Sequence, residues 1–279
     1  MLIAAAVCPH PPLLLPEVTG GLGPAAAGGQ ASRVVFPPGG SGGMGPPGRK
    51  RASRVTGASG SGASELRRLR AACRHATAVL LGAAPDLLVV VGGAEHTAEY
   101  PPGAGGSLRD FAVPFAVGAN PVLPLTLTIG KWLLAGAAPG GPPVTWWGIA
   151  SGAVSADCLN LGEKLAALAP RVALLAMGDG PARRARGVPG AADPAADRYD
   201  DQVSAALAAA DPGALAALDP RQDEELFVAG RAAWQVLAGS ASAGPVSPAD
   251  QGGAFTADLR YAAAPFDVSY YVATWVRAH

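Results

Sequence analysis

Residues suited to chemistry are scarce in this chain. Its 279 residues include only four histidines, His10, His75, His96 and His279. His10 stands in Cys8-Pro9-His10-Pro11-Pro12, after the apolar run Leu2 to Val7, and His96 stands in Gly92-Gly93-Ala94-Glu95-His96, after Leu87 to Val91. A short apolar run bounded by turn residues reads as a buried strand, so both imidazoles are expected at strand ends. Imidazole is the commonest side-chain ligand of transition metals, and two histidines with one carboxylate make the facial triad of a non-haem iron(II) centre. A histidine in such a place also serves simply to hydrogen-bond a loop. A third apolar run, Val172 to Met177, ends in Gly178-Asp179-Gly180. Asp179 there either holds a metal, orients the loop, or caps the turn, where Asp is favoured for local hydrogen bonding. His75 follows Arg74 on a helix and reads as a solvated residue, and His279 is the last residue of the chain.

The elements that must position these groups follow from periodicity. Glu65 to Leu81 reads as an amphipathic helix, with Leu66, Leu69, Ala72, Cys73, Ala76, Val79 and Leu80 on one face. Leu125 to Ala135, Leu159 to Leu168, Tyr199 to Ala209 and Asp223 to Leu237 read as further helices. Val144 to Ala150 reads as another strand, and Phe255 to Tyr261 and Val268 to Val276 as two closing strands around the Ala264-Pro265 turn. Strands alternating with helices predict an α/β fold: one domain over 1–279, with a mostly parallel sheet, mixed at its C-terminal strands, and helices on both faces. In such sheets ligands bind beyond the carboxyl ends of the strands, which is where His10, His96 and Asp179 are expected.

Composition narrows the function classes. Lys+Arg 21 balances Asp+Glu 21, so no global charge draws the chain to nucleic acid or an anionic membrane. Met1 to Leu15 lacks the basic start of a secretory signal and contains Pro11 and Pro12; no stretch of about 18 apolar residues reads as membrane-spanning. Three scattered cysteines, Cys8, Cys73 and Cys158, form no Cys-x-x-Cys pair, which fits a reducing, cytoplasmic compartment. Segment 20–64 is dominated by Gly, Ser, Ala and Pro and carries Arg33, Arg49, Lys50, Arg51 and Arg54 with no acid. It reads as a disordered, low-complexity basic insert. With Phe36 as its one aromatic, a solvated loop is a better reading than a nucleic-acid contact. The glycine pairs do not complete a dinucleotide fingerprint, no Gly-x-Ser-x-Gly elbow occurs, and the five tryptophans read as core residues. The sparse charge, with 49% hydrophobic residues, is compatible with a homo-oligomer.

Several stretches together resemble the class III extradiol ring-cleavage dioxygenases, the superfamily of protocatechuate 4,5-dioxygenase, in particular its small actinobacterial members. They are AAAVCPHPPLLLPE (Ala4 to Glu17), PDLLVVVGG (Pro85 to Gly93), MGDGPARRARGVPGAADPAADRYDDQV (Met177 to Val203), AGRAAWQVLAG (Ala229 to Gly239) and APFDVSYYVATW (Ala264 to Trp275). The resemblance implies iron(II)-dependent cleavage of a catechol-type aromatic, the metal chelating two adjacent substrate oxygens, with His10 as an iron ligand. The second ligating histidine of that family falls near Gly93 or Ala94, so His96 is its nearest counterpart, two residues late. The family's glutamate ligand aligns with Val228; Glu224 and Glu225 lie about a turn earlier. The resemblance therefore implies His10, His96 and Glu225 as the ligand set, although the two acids equally suit the N-terminal dipole of their helix. Ala182 takes the place of the family's acid/base histidine. A second reading stands beside the enzyme: a binding or scaffolding protein that keeps the fold.

Overall fold

The computed structural model describes residues 1–19, 60–111, 113–135, 140–182, 194–243 and 254–278. Positions 20–59 of the expected insert, including Arg33, Phe36, Arg49, Lys50, Arg51 and Arg54, lie outside the described residues, as does His279. The remainder of that expectation, 60–64, is corrected: these residues are the first turn of helix α1 (Gly60–Gly82).

Seven strands form the main sheet: β1 (Leu2–Cys8), β2 (Leu87–Ala94), β3 (Ala98–Tyr100), β7 (Val144–Ala150), β8 (Val172–Met177), β9 (Phe255–Ala263) and β10 (Tyr270–Arg277). Their order is β3-β7-β2-β8-β1-β10-β9. The four central strands β7, β2, β8 and β1 are mutually parallel, while β10 runs antiparallel to β1, β9 to β10, and β3 to β7. The sheet is mixed, mostly parallel at its centre, with helices on both faces. β8 sits between β1 and β2, so the first two strands of the chain are not neighbours. A small second sheet, β5-β4-β6, is built from β4 (Gly105–Ser107), β5 (Ala116–Val117) and β6 (Pro121–Leu123). The sequence shows no signal for it because these strands have only two or three residues, too few for a period to register.

Alternation along the parallel strands divides the core in two. Ala5, Val7, Val89, Val91, Leu174 and Ala176 face one layer, which holds α3 (Ser155–Ala166), α4 (Pro194–Ala209) and α7 (Arg231–Ser242). Ala4, Ala6, Cys8, Val90, Leu175 and Met177 face the other, which holds α1 and α2 (Leu125–Ala135). Both sides of these strands are therefore apolar, which is why they read as unbroken hydrophobic runs. Two short helices, α5 (Pro212–Ala216) and α6 (Pro220–Leu226), start on Asp211 and Asp219, whose carboxylates cap the backbone N–H groups of Ala214 and Arg221.

Several expected boundaries change: α4 begins at Pro194 rather than Tyr199, β9 runs to Ala263, and β10 spans Tyr270–Arg277. β2 runs on through Gly92-Gly93 to Ala94, because each of these residues pairs with β7. α3 begins at Ser155 rather than Leu159 and ends at Ala166. The single helix expected over Asp223 to Leu237 is two helices, α6 and α7. Phe227 adopts left-handed geometry, φ 53° and ψ 44°, and closes α6 through its N–H to the Asp223 carbonyl. Among the described residues no helix is long and apolar enough to cross a membrane.

Helices α3 and α7 approach through glycine. A methyl group on Gly239 would stand 2.1 Å from the Leu159 carbonyl oxygen, and one on Gly162 2.1 Å from that of Val236. Gly239→Ala should therefore cost roughly 1–3 kcal/mol by forcing the helices apart, read from the midpoint of urea unfolding. On the opposite face the Tyr261 hydroxyl donates to Glu65 Oε2 at 3.1 Å, fastening β9 to α1. Burial, with Glu65 second, pushes this phenol up to about 12. A folded-state value above the unfolded one contributes stability that is complete below about pH 10 and is lost as pH rises through the folded value. Across that window the stability difference between wild type and Tyr261→Phe should shrink; a constant difference would mean the phenol titrates normally.

Candidate functional site

Because β1, β2, β7 and β8 are parallel, their carboxyl ends open on one edge of the sheet. His10 lies just past β1 and is buried, 7% exposed. Its backbone N–H donates to Asp179 Oδ1 at 2.7 Å, and its ring Nδ1 lies 3.4 Å from the same oxygen. That buried Nδ1 has no hydrogen-bond partner among the described residues. Burial pushes the Asp179 carboxyl above its ordinary range, and the nearby His10 pulls it back in part. Tyr270, at the start of β10, is pushed well above the ordinary phenol value by burial and then by Asp179. Asp179 thus sits in a confined setting where its negative charge is felt by its neighbours.

The Gly178-Asp179-Gly180 turn is held from three sides. The Gly180 N–H donates to Ser269 O at 2.7 Å, the Ala229 N–H to Asp179 O at 3.1 Å, and the Ala182 N–H to Leu226 O at 3.0 Å. Gly178 is required because an added methyl would lie 2.4 Å from the Gly230 Cα. The indole nitrogen of Trp234, 3.1 Å from that same added methyl, is likewise buried without a partner among the described residues. The α6–α7 junction therefore lies against the end of β8 by backbone contact, with two orphaned ring nitrogens, of His10 and Trp234, beside one turn.

Beneath that junction is a buried polar network. Arg231, 1% exposed, donates through Nε to Asp223 Oδ2, through one terminal nitrogen to Ala153 O at 2.9 Å and Gln235 Oε1 at 2.8 Å, and through the other to Ser151 O at 3.0 Å. The Tyr199 hydroxyl donates to the other Asp223 oxygen at 2.9 Å, and Gln235 Nε2 donates to Ala216 O and Leu218 O, each at 3.0 Å. Burial raises the Asp223 carboxyl, while its bonds to Arg231 and Tyr199 counter the rise; burial and the Asp223 charge hold the Tyr199 hydroxyl protonated. Sequence inspection missed Arg231 and Asp223. The one available signal was a single arginine, with Gln235 four residues on, opening the mostly apolar helix run Ala232 to Leu237.

The expected ligand set does not assemble. His96 follows β2, but its side chain is 82% exposed and lies 3.7 Å from Glu95 on the outside of the molecule. The cause is the extension of β2 through the glycine pair, which carries the chain past the crevice before the histidine is reached. Glu225 is exposed on α6, whereas the buried acid of that helix is Asp223, two residues earlier and committed to Arg231. Glu224 is also exposed, Val228 is half-buried in the junction, and Ala182 is exposed beside the turn. Among the described residues no three His, Cys, Asp or Glu side chains are grouped to hold a metal ion. The described residues do not fit a three-ligand iron(II) centre; His10 offers one imidazole. His75 is half-exposed and lies 3.9 Å from Asp258. A neighbouring cleft of about 460 Å³, lined by Asp197, Asp200, Asp201, Ser204, Ser269 and Tyr271, adjoins the turn through Ser269. Asp200 accepts from Ser269 Oγ at 2.8 Å and from the Tyr271 hydroxyl.

No family model matches the chain, and no curated protein matches it. Among solved structures it is similar to an uncharacterized protein, JW3007, of Escherichia coli K12, at 16% identity over 72% of this chain and 91% of that one, with a TM-score of 0.40.

Truncating one partner of a buried ion pair leaves the other charge stranded. Asp223→Ala should cost about 3–5 kcal/mol. The double variant Asp223→Leu/Arg231→Met should recover part of that loss, both read by urea unfolding. A double variant no more stable than Asp223→Ala would place the cost in packing rather than in the stranded guanidinium.

Proposed function

We propose that the chain is a class III extradiol dioxygenase-like protein that binds a small aromatic molecule at the carboxyl edge of its sheet without a complete iron(II) centre. The observation that carries this reading is the placement of its histidines. His10 is buried at the end of β1, its Nδ1 without a hydrogen bond and 3.4 Å from Asp179 Oδ1, whereas His96 and Glu225 are exposed. The orphaned nitrogen favours a polar ligand group, because an unpaired buried polar atom costs free energy that a bound hydroxyl would recover. The Asp179 carboxylate lies 3.4 Å from that same nitrogen and is a second group that a ligand hydroxyl can address. In place of the general acid/base of an active relative stands Ala182, and alanine moves no proton; such groups contribute typically 10²–10⁴-fold.

The enzymatic reading, iron(II)-dependent cleavage of a catechol-type ring, rests on the same nitrogen, which suits a metal, and on the sequence resemblance. When bound, the metal would supply chelation of the ring oxygens and a position for dioxygen. Two further ligands would have to come to His10 from elsewhere. We place the protein in the cytoplasm on its three buried, free cysteines.

The deciding measurement is iron content and iron(II) titration of anaerobically prepared protein, paired with catechol titration, in wild type and His10→Ala. The expected result is no stoichiometric iron, with catechol binding that weakens in His10→Ala. Near-stoichiometric iron lost in His10→Ala would overturn the binding reading in favour of the enzyme. Catechol binding unaltered by the substitution would remove His10 from the site.

A further inference from the structure

On the other face of the sheet, α1 and α2 leave a cleft of about 330 Å³ lined by Arg70, Arg74, Trp132, Leu133 and Ala135. Its volume is that of a small-molecule pocket. Arg70 and Arg74 are one helical turn apart on α1, a spacing at which like charges repel. Arg70 is held in place: its Nε donates to Leu14 O at 2.7 Å, and one terminal nitrogen donates to Leu13 O and the Thr19 hydroxyl, each at 3.0 Å. Those acceptors are neutral, so they fix the guanidinium without cancelling its charge. Burial and the neighbouring Arg74 both work against that charge, and Glu17 offsets them in part. The Arg74 guanidinium has no hydrogen bond or ion pair among the described residues, and its residue is exposed. The other wall is half-buried Trp132 with aliphatic neighbours. Two cations on one side and an indole with aliphatic groups on the other make a surface whose complement is a flat apolar body with one negative end.

We propose that this α1–α2 cleft is a binding site for a small aromatic carboxylate, its acid group paired with Arg74 beside the fixed Arg70 and its ring against Trp132. A guanidinium matches a carboxylate with two parallel N–H···O bonds, which a hydroxyl or a neutral amide cannot accept in the same way. Indole contributes a broad apolar face at low entropic cost. The pairing is exposed at its charged end, so it weakens as salt is added. The cleft lies in the core layer of α1 and α2, across the sheet from α7 and the Arg231 network, and the inference does not rest on the reading of the strand-end site.

The test is calorimetric titration of the full chain with benzoate and with benzyl alcohol, at low and high salt, in wild type, Arg74→Gln and Trp132→Leu. Arg74 is on the exposed side of α1, so Arg74→Gln should keep the wild-type melting temperature. Benzoate should bind, benzyl alcohol should bind at least about tenfold more weakly, and Arg74→Gln should lose about tenfold for benzoate while leaving benzyl alcohol unchanged, the size expected of a charge-assisted hydrogen-bonded pair. Trp132→Leu should weaken both compounds. Equal affinity for the acid and the alcohol, an Arg74→Gln protein that binds benzoate like wild type, or no benzoate binding at millimolar concentration would each overturn the proposal. Benzoate binding lost in His10→Ala but kept in Arg74→Gln would assign the acid to the strand-end site instead and would equally overturn it.

Discussion

A guanidinium that is 1% exposed stays in a protein interior only if each of its nitrogens is answered, and Arg231 meets that condition. It reaches a carboxylate on α6, an amide on its own helix, and two carbonyls of the loop after β7. The partners come from three segments, α6, α7 and the β7–α3 loop, so the charge can be buried only when all three are in place. Desolvating the pair is costly and is offset by its geometry rather than by Coulomb attraction alone. The network therefore specifies one arrangement of α6, α7 and the β7–α3 loop. It is also why α6 ends where it does: Asp223 must face Arg231, and the chain between them has to turn rather than continue as a helix.

That turn forms one side of the candidate site. With Phe227 left-handed and Gly230 against Gly178, the backbone of the junction lies directly on the end of β8. Asp179 is pinned through its carbonyl to Ala229 and through its carboxylate to the backbone of His10. In the Gly178-Asp179-Gly180 turn, Gly178 serves close approach to the Gly230 backbone and Gly180 to the Tyr271 and Ser269 side chains, not the cradling of a phosphate. What remains polar and unanswered at this place are two ring nitrogens, of His10 and Trp234, in a setting otherwise built from backbone and apolar side chains.

The two faces of the sheet carry different chemistry. The side of α7 holds Arg231, Asp223, Tyr199 and Gln235 in a closed network. The cleft between α1 and α2 carries two arginines, Arg70 bonded to neutral oxygens and Arg74 turned to solvent. A protein whose Lys+Arg and Asp+Glu totals are equal can still present local charge, because helix geometry gathers residues four apart on one face regardless of the total.

The sequence by itself determined the α/β class, the strands β1, β7 and β8, the apolar face of α1 and the placing of His10 and Asp179 at strand ends, since each depends on a period or a boundary written in consecutive residues. The paired-sheet extension of β2, the division of one expected helix into α6 and α7, the three-stranded second sheet, and the exposure of His96 and Glu225 were decided by tertiary contact. Gly92-Gly93 reads as a stop until β7 is beside it to accept and donate hydrogen bonds. Glu224, Glu225 and Asp223 are interchangeable acids in sequence. Only the position of Arg231, fixed by the carbonyls of Ser151 and Ala153 far away in the chain, selects Asp223 for the interior and leaves the two glutamates in water.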